Sequence, residues 1–104
     1  MDLDIRVRHR ATADPQGARE HIAARLRGAL RRMNNRLAWV VVHLDDVNGP
    51  RGGNDKRCVV RAQAIDGAYA VGAATGCDLL GAVDRGLRRA LDGLRLRLRR
   101  RRRR

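Results

Sequence analysis

Hydrophobic and polar residues alternate at the start of the chain, over residues 3–9. In an extended backbone, Leu3, Ile5 and Val7 point to one side and charged side chains point to the other. Alternation with a period of two predicts a strand that buries one face. We therefore expect the chain to open with a strand that packs its apolar side on a core.

A helical period follows this strand. Asp14 is a typical N-cap residue, and Pro15 suits the first helical position because proline lacks the N–H group that stays unpaired there. Apolar residues then recur every three to four positions, which predicts an amphipathic helix of about five turns that ends near Asn34 and Asn35. The buried side of this helix is predicted to be Ala18, Ile22, Leu26, Ala29, Leu30 and Met33.

Three further segments are predicted as strands, over 37–47, 56–65 and 68–74. The glycine-rich residues 48–54 join the first two as a loop, and Asp66-Gly67 predicts a two-residue hairpin turn between the last two. In the first of these strands, the side chains expected to face the core are Val40, Val42 and Leu44, with Trp39, Val41 and His43 on the opposite face.

A second helical stripe begins after Asp78, which is predicted to cap the last helix. Glycines at 81, 86 and 93 each weaken this helix by about 1 kcal/mol relative to alanine, so it is expected to depend on packing against the sheet. Its buried stripe is predicted to be Leu80, Val83, Leu87, Leu91, Leu94 and Leu98.

The order β-α-β-β-β-α predicts an α+β fold, in which two helices pack on one face of a four-stranded sheet. Double-stranded-RNA-binding domains share much of this topology. Residues 1–98 are predicted to form a single domain, and residues 99–104 a basic arginine tail.

Charge narrows the functions that this fold can serve. The 104 residues carry a formal net charge of +13, and residues 99–104 are all arginine. A polyanionic partner explains such a density, because each phosphate that an arginine neutralises releases condensed counterions. The guanidinium group also binds phosphate oxygens in pairs and stacks on bases, which suits RNA. Trp39 and Tyr69 are the only aromatic residues, which argues against stacking of bases on exposed rings and favours recognition of shape and backbone.

Other classes of function find little support in the sequence. No apolar stretch approaches the roughly 20 residues of a membrane span, and the N-terminus lacks the layout of a signal peptide, so we expect a cytoplasmic protein. Asp45 and Asp46 are neighbours on a strand and point to opposite faces, so they cannot act as a paired acid and base. We expect no enzyme activity, no cofactor, no small-molecule substrate and no membrane partner.

The histidines and cysteines do not have the spacing of a metal site, and none is expected. In a reducing compartment, both cysteines are expected to be small buried residues. The residues concerned are His9, His21, His43, Cys58 and Cys77.

The candidate binding residues are arginines on the outer sides of the two helices and in the tail. Because both helices are expected to pack on one face of the sheet, these sides should lie together as one continuous positive surface. For the loop 48–54, a plain connecting role and contact with RNA both stay open. The residues predicted to bind RNA are Arg25, Arg31, Arg32, Arg85, Arg88, Arg89, Arg95, Arg97, Arg99 and Arg100.

Four segments, taken with the element order, match a known family. They are residues 3–7 (LDIRV), 21–26 (HIAARL), 78–85 (DLLGAVDR) and 45–58 (DDVNGPRGGNDKRC). In these segments the chain resembles the short form of the bacterial ribosome hibernation factors, also called the ribosome-associated inhibitor or sigma-54 modulation protein family. The chain departs from the family at Leu80, where the family usually has a tyrosine, and in the glycines of the last helix.

The resemblance implies binding to the small ribosomal subunit, in the channel used by messenger RNA and transfer RNA, and inhibition of translation in stressed or stationary cells. It also implies contact with ribosomal RNA through Arg25, Arg31, Arg85, Arg88 and Arg89. We expect a monomer when the protein is free. Two alternatives stay open, namely a general RNA-binding or RNA-chaperone module and a regulator that binds an acidic protein partner.

Overall fold

The structure, a computed structural model, describes residues 1–8, 11–47 and 55–102, with side chains described as far as Arg100. Within these ranges the elements follow the predicted order, which confirms the α+β fold. The loop 48–54 and His9 lie outside the described residues. The elements are β1 (Asp2–Val7), α1 (Pro15–Arg32), β2 (Leu37–Asp46), β3 (Lys56–Ala64), β4 (Tyr69–Gly76) and α2 (Leu79–Arg102).

The four strands form one mixed sheet in the order β1-β2-β3-β4. β1 runs parallel to β2, and the other neighbours are antiparallel. On one face, Val40, Val42 and Val60 are completely buried. They share a single apolar core with Ile22 of α1 and Leu94 of α2. Both helices therefore cover the same face of the sheet, as the apolar pattern predicts.

Polar side chains cap both helices at their first turn. Oδ1 of Asp14 accepts a hydrogen bond from the backbone N–H of Gly17 at 3.0 Å, and Oδ2 of Asp78 accepts one from Gly81 at 3.3 Å. After α1, Asn34 and Asn35 adopt left-handed backbone conformations with φ of 53° and 58°, a region that asparagine enters more readily than most residues. The predicted caps and the predicted end of α1 are confirmed.

The turn between β3 and β4 is longer than predicted. The backbone N–H of Ala64 donates to the oxygen of Ala68 at 2.8 Å, which leaves three residues in the loop. Gly67, with a φ of 94°, takes the left-handed position that closes a three-residue hairpin loop. The prediction of a two-residue turn is therefore wrong, although the glycine that the turn requires is the expected one.

The start of the buried stripe on α2 also differs from the prediction. Leu80 is 41% exposed. Small residues contact the sheet at this end of the helix: Ala82 is completely buried, and a Cβ added to Gly86 would lie 3.2 Å from Sγ of Cys58. A pattern of large apolar residues does not identify these small residues, although they let the helix approach the sheet closely.

α2 continues into the arginine tail as far as Arg102. The last core residue before the tail is Leu98, which is 8% exposed. Among the described residues, no helix is long and apolar enough to cross a membrane.

Candidate nucleic-acid interface

A groove with a volume of about 260 Å³ runs between α1 and α2. We call it the interhelical groove. Apolar side chains form its floor, namely Ala29, Met33, Leu87 and Leu91. Arginines from both helices form its rim, namely Arg25, Arg32, Arg88 and Arg95.

The spacing of these arginines explains why they line one groove. Arg25 and Arg32 are seven residues apart on α1, and Arg88 and Arg95 are seven residues apart on α2. Seven residues make about two helical turns, so the members of each pair lie on the same side of their helix. Because α1 and α2 are in contact, the two pairs border the same space.

An acidic residue connects the two helices at one end of the interhelical groove. Oδ1 of Asp84 on α2 lies 2.7 Å from Nε2 of His21 and 3.3 Å from Nε of Arg25, both on α1. This contact positions the Arg25 side chain while leaving it 59% exposed and able to bind a further anion. Sequence reasoning missed His21 and Asp84 as partners, because nothing local signals a contact between residues 63 positions apart.

Three of the predicted arginines lie away from the interhelical groove, at the outer edge of the sheet. β4 is an edge strand, and its backbone oxygens accept hydrogen bonds from these guanidinium groups. We call the three arginines the edge row. The donor and acceptor pairs are Arg85 with Thr75 at 3.2 Å, Arg89 with Ala73 at 2.5 Å, and Arg97 with Tyr69. These three arginines therefore lie at the β4 edge rather than in the interhelical groove with the other four.

The other predicted arginines take different positions. Arg99 joins Arg32, Arg36 and Arg95 around a second depression, of about 160 Å³. Arg36 was not among the predicted site residues. Arg31 is exposed at a position about 120° around α1 from Arg25, which turns it away from the groove. Arg100 is exposed on α2.

The sheet face turned away from the helices carries both aromatic residues. Trp39 of β2 and Tyr69 of β4 flank Gln63 of β3, and their ring centroids are 6.0 Å apart. Nε1 of Trp39 donates to Oε1 of Gln63 at 2.7 Å, and Nη1 of Arg61 donates to the Tyr69 hydroxyl at 3.1 Å. We call this surface the open face, and its other members on β2, β3 and β4 include Val41, His43, Val59 and Val71.

His43 lies on the open face among cationic side chains. Burial lowers the pKa of His43 from its ordinary value of 6.5. The guanidinium groups of Arg6, Arg61 and Arg8 lower this pKa further, against a smaller opposite effect of Asp4. The imidazole is therefore neutral at neutral pH.

The stability of the protein should depend on this titration. Because folding holds the His43 pKa below 6.5, protonation favours the unfolded chain, and the free energy of unfolding should fall as the pH drops through 6.5. His43→Gln should remove this part of the pH dependence. Urea denaturation of both proteins at pH values about one unit above and below 6.5 measures the change in the free energy of unfolding. The same pH dependence in both proteins would contradict the prediction.

The two cysteines have different environments. Cys58 is completely buried, and burial raises the pKa of its thiol to about 12, so it stays protonated and unreactive. Cys77 is exposed, contrary to the prediction, because it lies in the connection between β4 and α2 rather than on the core side of a strand. No cluster of three or more histidine, cysteine or acidic side chains within the described ranges could hold a metal ion.

Comparison with known proteins supports the fold assignment. No family model matches the chain, and no curated protein matches it. Among solved structures, a ribosomal subunit interface protein from Coxiella burnetii has a similar fold, with a TM-score of 0.64. The sequence identity is 13%, and the similarity covers 100% of both chains. At this identity the likeness concerns the fold, which extends over the whole chain.

Proposed function

We propose that this protein binds the small ribosomal subunit in the channel for messenger RNA and transfer RNA, and inhibits translation there as a cytoplasmic hibernation factor. Its role is to occupy an RNA surface rather than to catalyse a reaction. Two findings support the proposal: the segments similar to hibernation factors, and a fold like that of a ribosomal subunit interface protein. The proposal assigns the contact with ribosomal RNA to the interhelical groove.

The arrangement of arginines around the interhelical groove carries this proposal. Each guanidinium presents several N–H donors in one plane, a geometry that matches the paired oxygens of a phosphate. α1 and α2 pack on one core and are also connected through Asp84, so the groups on the two helices lie at defined relative positions. Four arginines outnumber the two acidic residues that line the groove, Asp84 and Asp92. A rigid cationic surface of this kind suits the backbone of a folded RNA.

Sedimentation with ribosomal subunits tests the proposal. We expect the purified protein to sediment with small subunits at low salt and to be released as salt is raised. The logarithm of the binding constant should fall by roughly 0.7–0.9 per log unit of salt for each phosphate contact. Messenger RNA or initiator transfer RNA should compete with the protein. A protein that stays unbound at low salt would refute the proposal.

A general RNA-binding module is the main alternative, because the net charge of +13 attracts any polyanion. This alternative predicts equal affinity for small subunits and for duplex RNA of arbitrary sequence. The proposed function predicts a preference for the subunit that persists when duplex RNA is present in excess. Capture of one acidic protein without RNA would instead indicate a protein regulator.

A further inference from the structure

The edge row is held in register with β4. The edge row follows a four-residue spacing along α2, about 6.0 Å per step, at Arg85, Arg89 and Arg97. Gly93 occupies the position between Arg89 and Arg97 and has no side chain. Along β4, the accepting oxygens follow a two-residue spacing of about 6.6 Å per step. The two repeats nearly match, so each arginine reaches its own backbone oxygen. Since a guanidinium has five N–H groups, each arginine keeps donors for an external anion.

The residues that anchor the edge row also contribute side chains to the open face. Tyr69, Ala73 and Thr75 are exposed there, and Val71 between them is 46% exposed. The Tyr69 ring therefore lies on the strand that anchors the row of cationic groups, and the Trp39 ring lies next to it, with 6.0 Å between centroids. Neither feature belongs to the interhelical groove.

The charges across the sheet favour an anion on the β4 side. Arg61 of β3 projects onto the open face beside Tyr69, whereas Arg57 lies opposite Asp45 of β2. β4 contributes no acidic side chain. The acidic residues Asp2, Asp4 and Asp45 lie on β1 and β2, and Asp66 lies in the turn before β4, where Oδ1 accepts a hydrogen bond from the backbone N–H of Ala68 at 3.1 Å. A polyanion is therefore attracted to this side, whereas a second copy of the cationic chain is repelled.

We propose that single-stranded RNA binds along β4, with its phosphates on the edge row and successive bases stacked on Tyr69 and Trp39, whose ring planes are inclined by 53°. Proteins that bind single strands combine a cationic track for the backbone with aromatic rings on which bases stack. Duplex RNA does not fit this surface, because its bases are paired and stacked within the helix. The surface is separate from the interhelical groove, so the inference does not rest on the proposed function.

Trp39 is the only tryptophan, so its fluorescence reports directly on this surface. We expect an oligouridine of about ten nucleotides to quench Trp39 emission in a saturable way at low salt. Tyr69→Leu removes the ring but keeps apolar bulk, and should weaken oligouridine binding by about tenfold. The same variant should sediment with small ribosomal subunits as the unchanged protein does. A failure of ribosome binding in both proteins would refute the proposed function and leave this inference standing.

The double variant Arg89→Gln, Arg97→Gln tests the edge row. It should weaken oligouridine binding by about tenfold beyond the effect of Arg19→Gln, Arg27→Gln, which removes the same charge from exposed positions of α1. Circular dichroism checks that the variants fold. Where a variant does not fold, the quenching of Trp39 emission by oligouridine in the unchanged protein decides the question.

Three results would overturn the inference. The first is oligouridine binding that leaves Trp39 emission unchanged. The second is equal binding of oligouridine by the two double variants. The third is Trp39 emission that changes with protein concentration in the absence of RNA, which would indicate that two copies associate through the open face.

Discussion

Replacing Arg25 and Arg88 with glutamine is expected to lower the affinity for small ribosomal subunits by about a hundredfold. The two arginines come from different helices and line the same interhelical groove. A hydrogen bond to a charged group contributes roughly 1.5–3 kcal/mol, so the loss of two costs about 3 kcal/mol, which corresponds to the hundredfold change. Sedimentation titrations at one low salt concentration measure the affinity. A second series at several salt concentrations measures the number of phosphate contacts that are lost.

Arg19 and Arg27 provide the matched control for this prediction. Both are exposed on α1 and neither lines the interhelical groove. Arg19→Gln, Arg27→Gln removes the same net charge and should lower the affinity for small subunits by less than about tenfold, through the general attraction alone. Equal losses in the two double variants would show that total charge, rather than the groove, determines binding.

The fold is largely predictable because it depends on local features of the sequence. The period of apolar residues identifies each helix and strand, and Asp14 and Asp78 mark the helix starts. The prediction fails where packing uses small residues. Leu80 is exposed because Ala82 and Gly86 contact the sheet in its place, and no hydrophobic period records such positions.

The division of the arginines into two groups is not predictable in the same way. Arg88 and Arg89 are neighbours in sequence, yet Arg88 lines the interhelical groove and Arg89 reaches the oxygen of Ala73. Consecutive residues point about 100° apart around a helix, so both directions are fixed once α2 is placed. The placement itself depends on how closely α2 packs on β4, which is a tertiary property.

The aromatic residues show the same limit. Two aromatic residues in 104 argue against base stacking when only their number is considered. Strand register brings Trp39 and Tyr69 onto one face, with Gln63 between them. The sequence shows how many aromatic residues there are, whereas the proximity of Trp39 and Tyr69 follows only from how the strands pair in the sheet.

The glycines of the packed layer between α2 and β4 also differ in ways that the sequence does not reveal. A Cβ added to Gly72 would lie 2.5 Å from the backbone oxygen of Gly86 and closer still to the amide nitrogen of Ala90. A Cβ added to Gly93 would lie 3.5 Å from Cβ of Ala70, an ordinary van der Waals contact. Gly72 is therefore necessary for close packing, while Gly93 is a helix position that tolerates a side chain.

Gly72→Ala is therefore expected to lower the melting temperature by more than about 10 °C. The added methyl group meets backbone atoms, which cannot rotate aside, so α2 must move away from β4 at a cost of about 3 kcal/mol. In a domain of this size, each kcal/mol corresponds to about 4–8 °C. Gly93→Ala is the matched control and should raise the melting temperature by a few degrees, because alanine favours a helix by about 1 kcal/mol over glycine. Thermal unfolding followed by circular dichroism measures both. If Gly72→Ala melted at the same temperature as the unchanged protein, α2 would not pack this closely on β4, and the edge row would not reach the β4 oxygens.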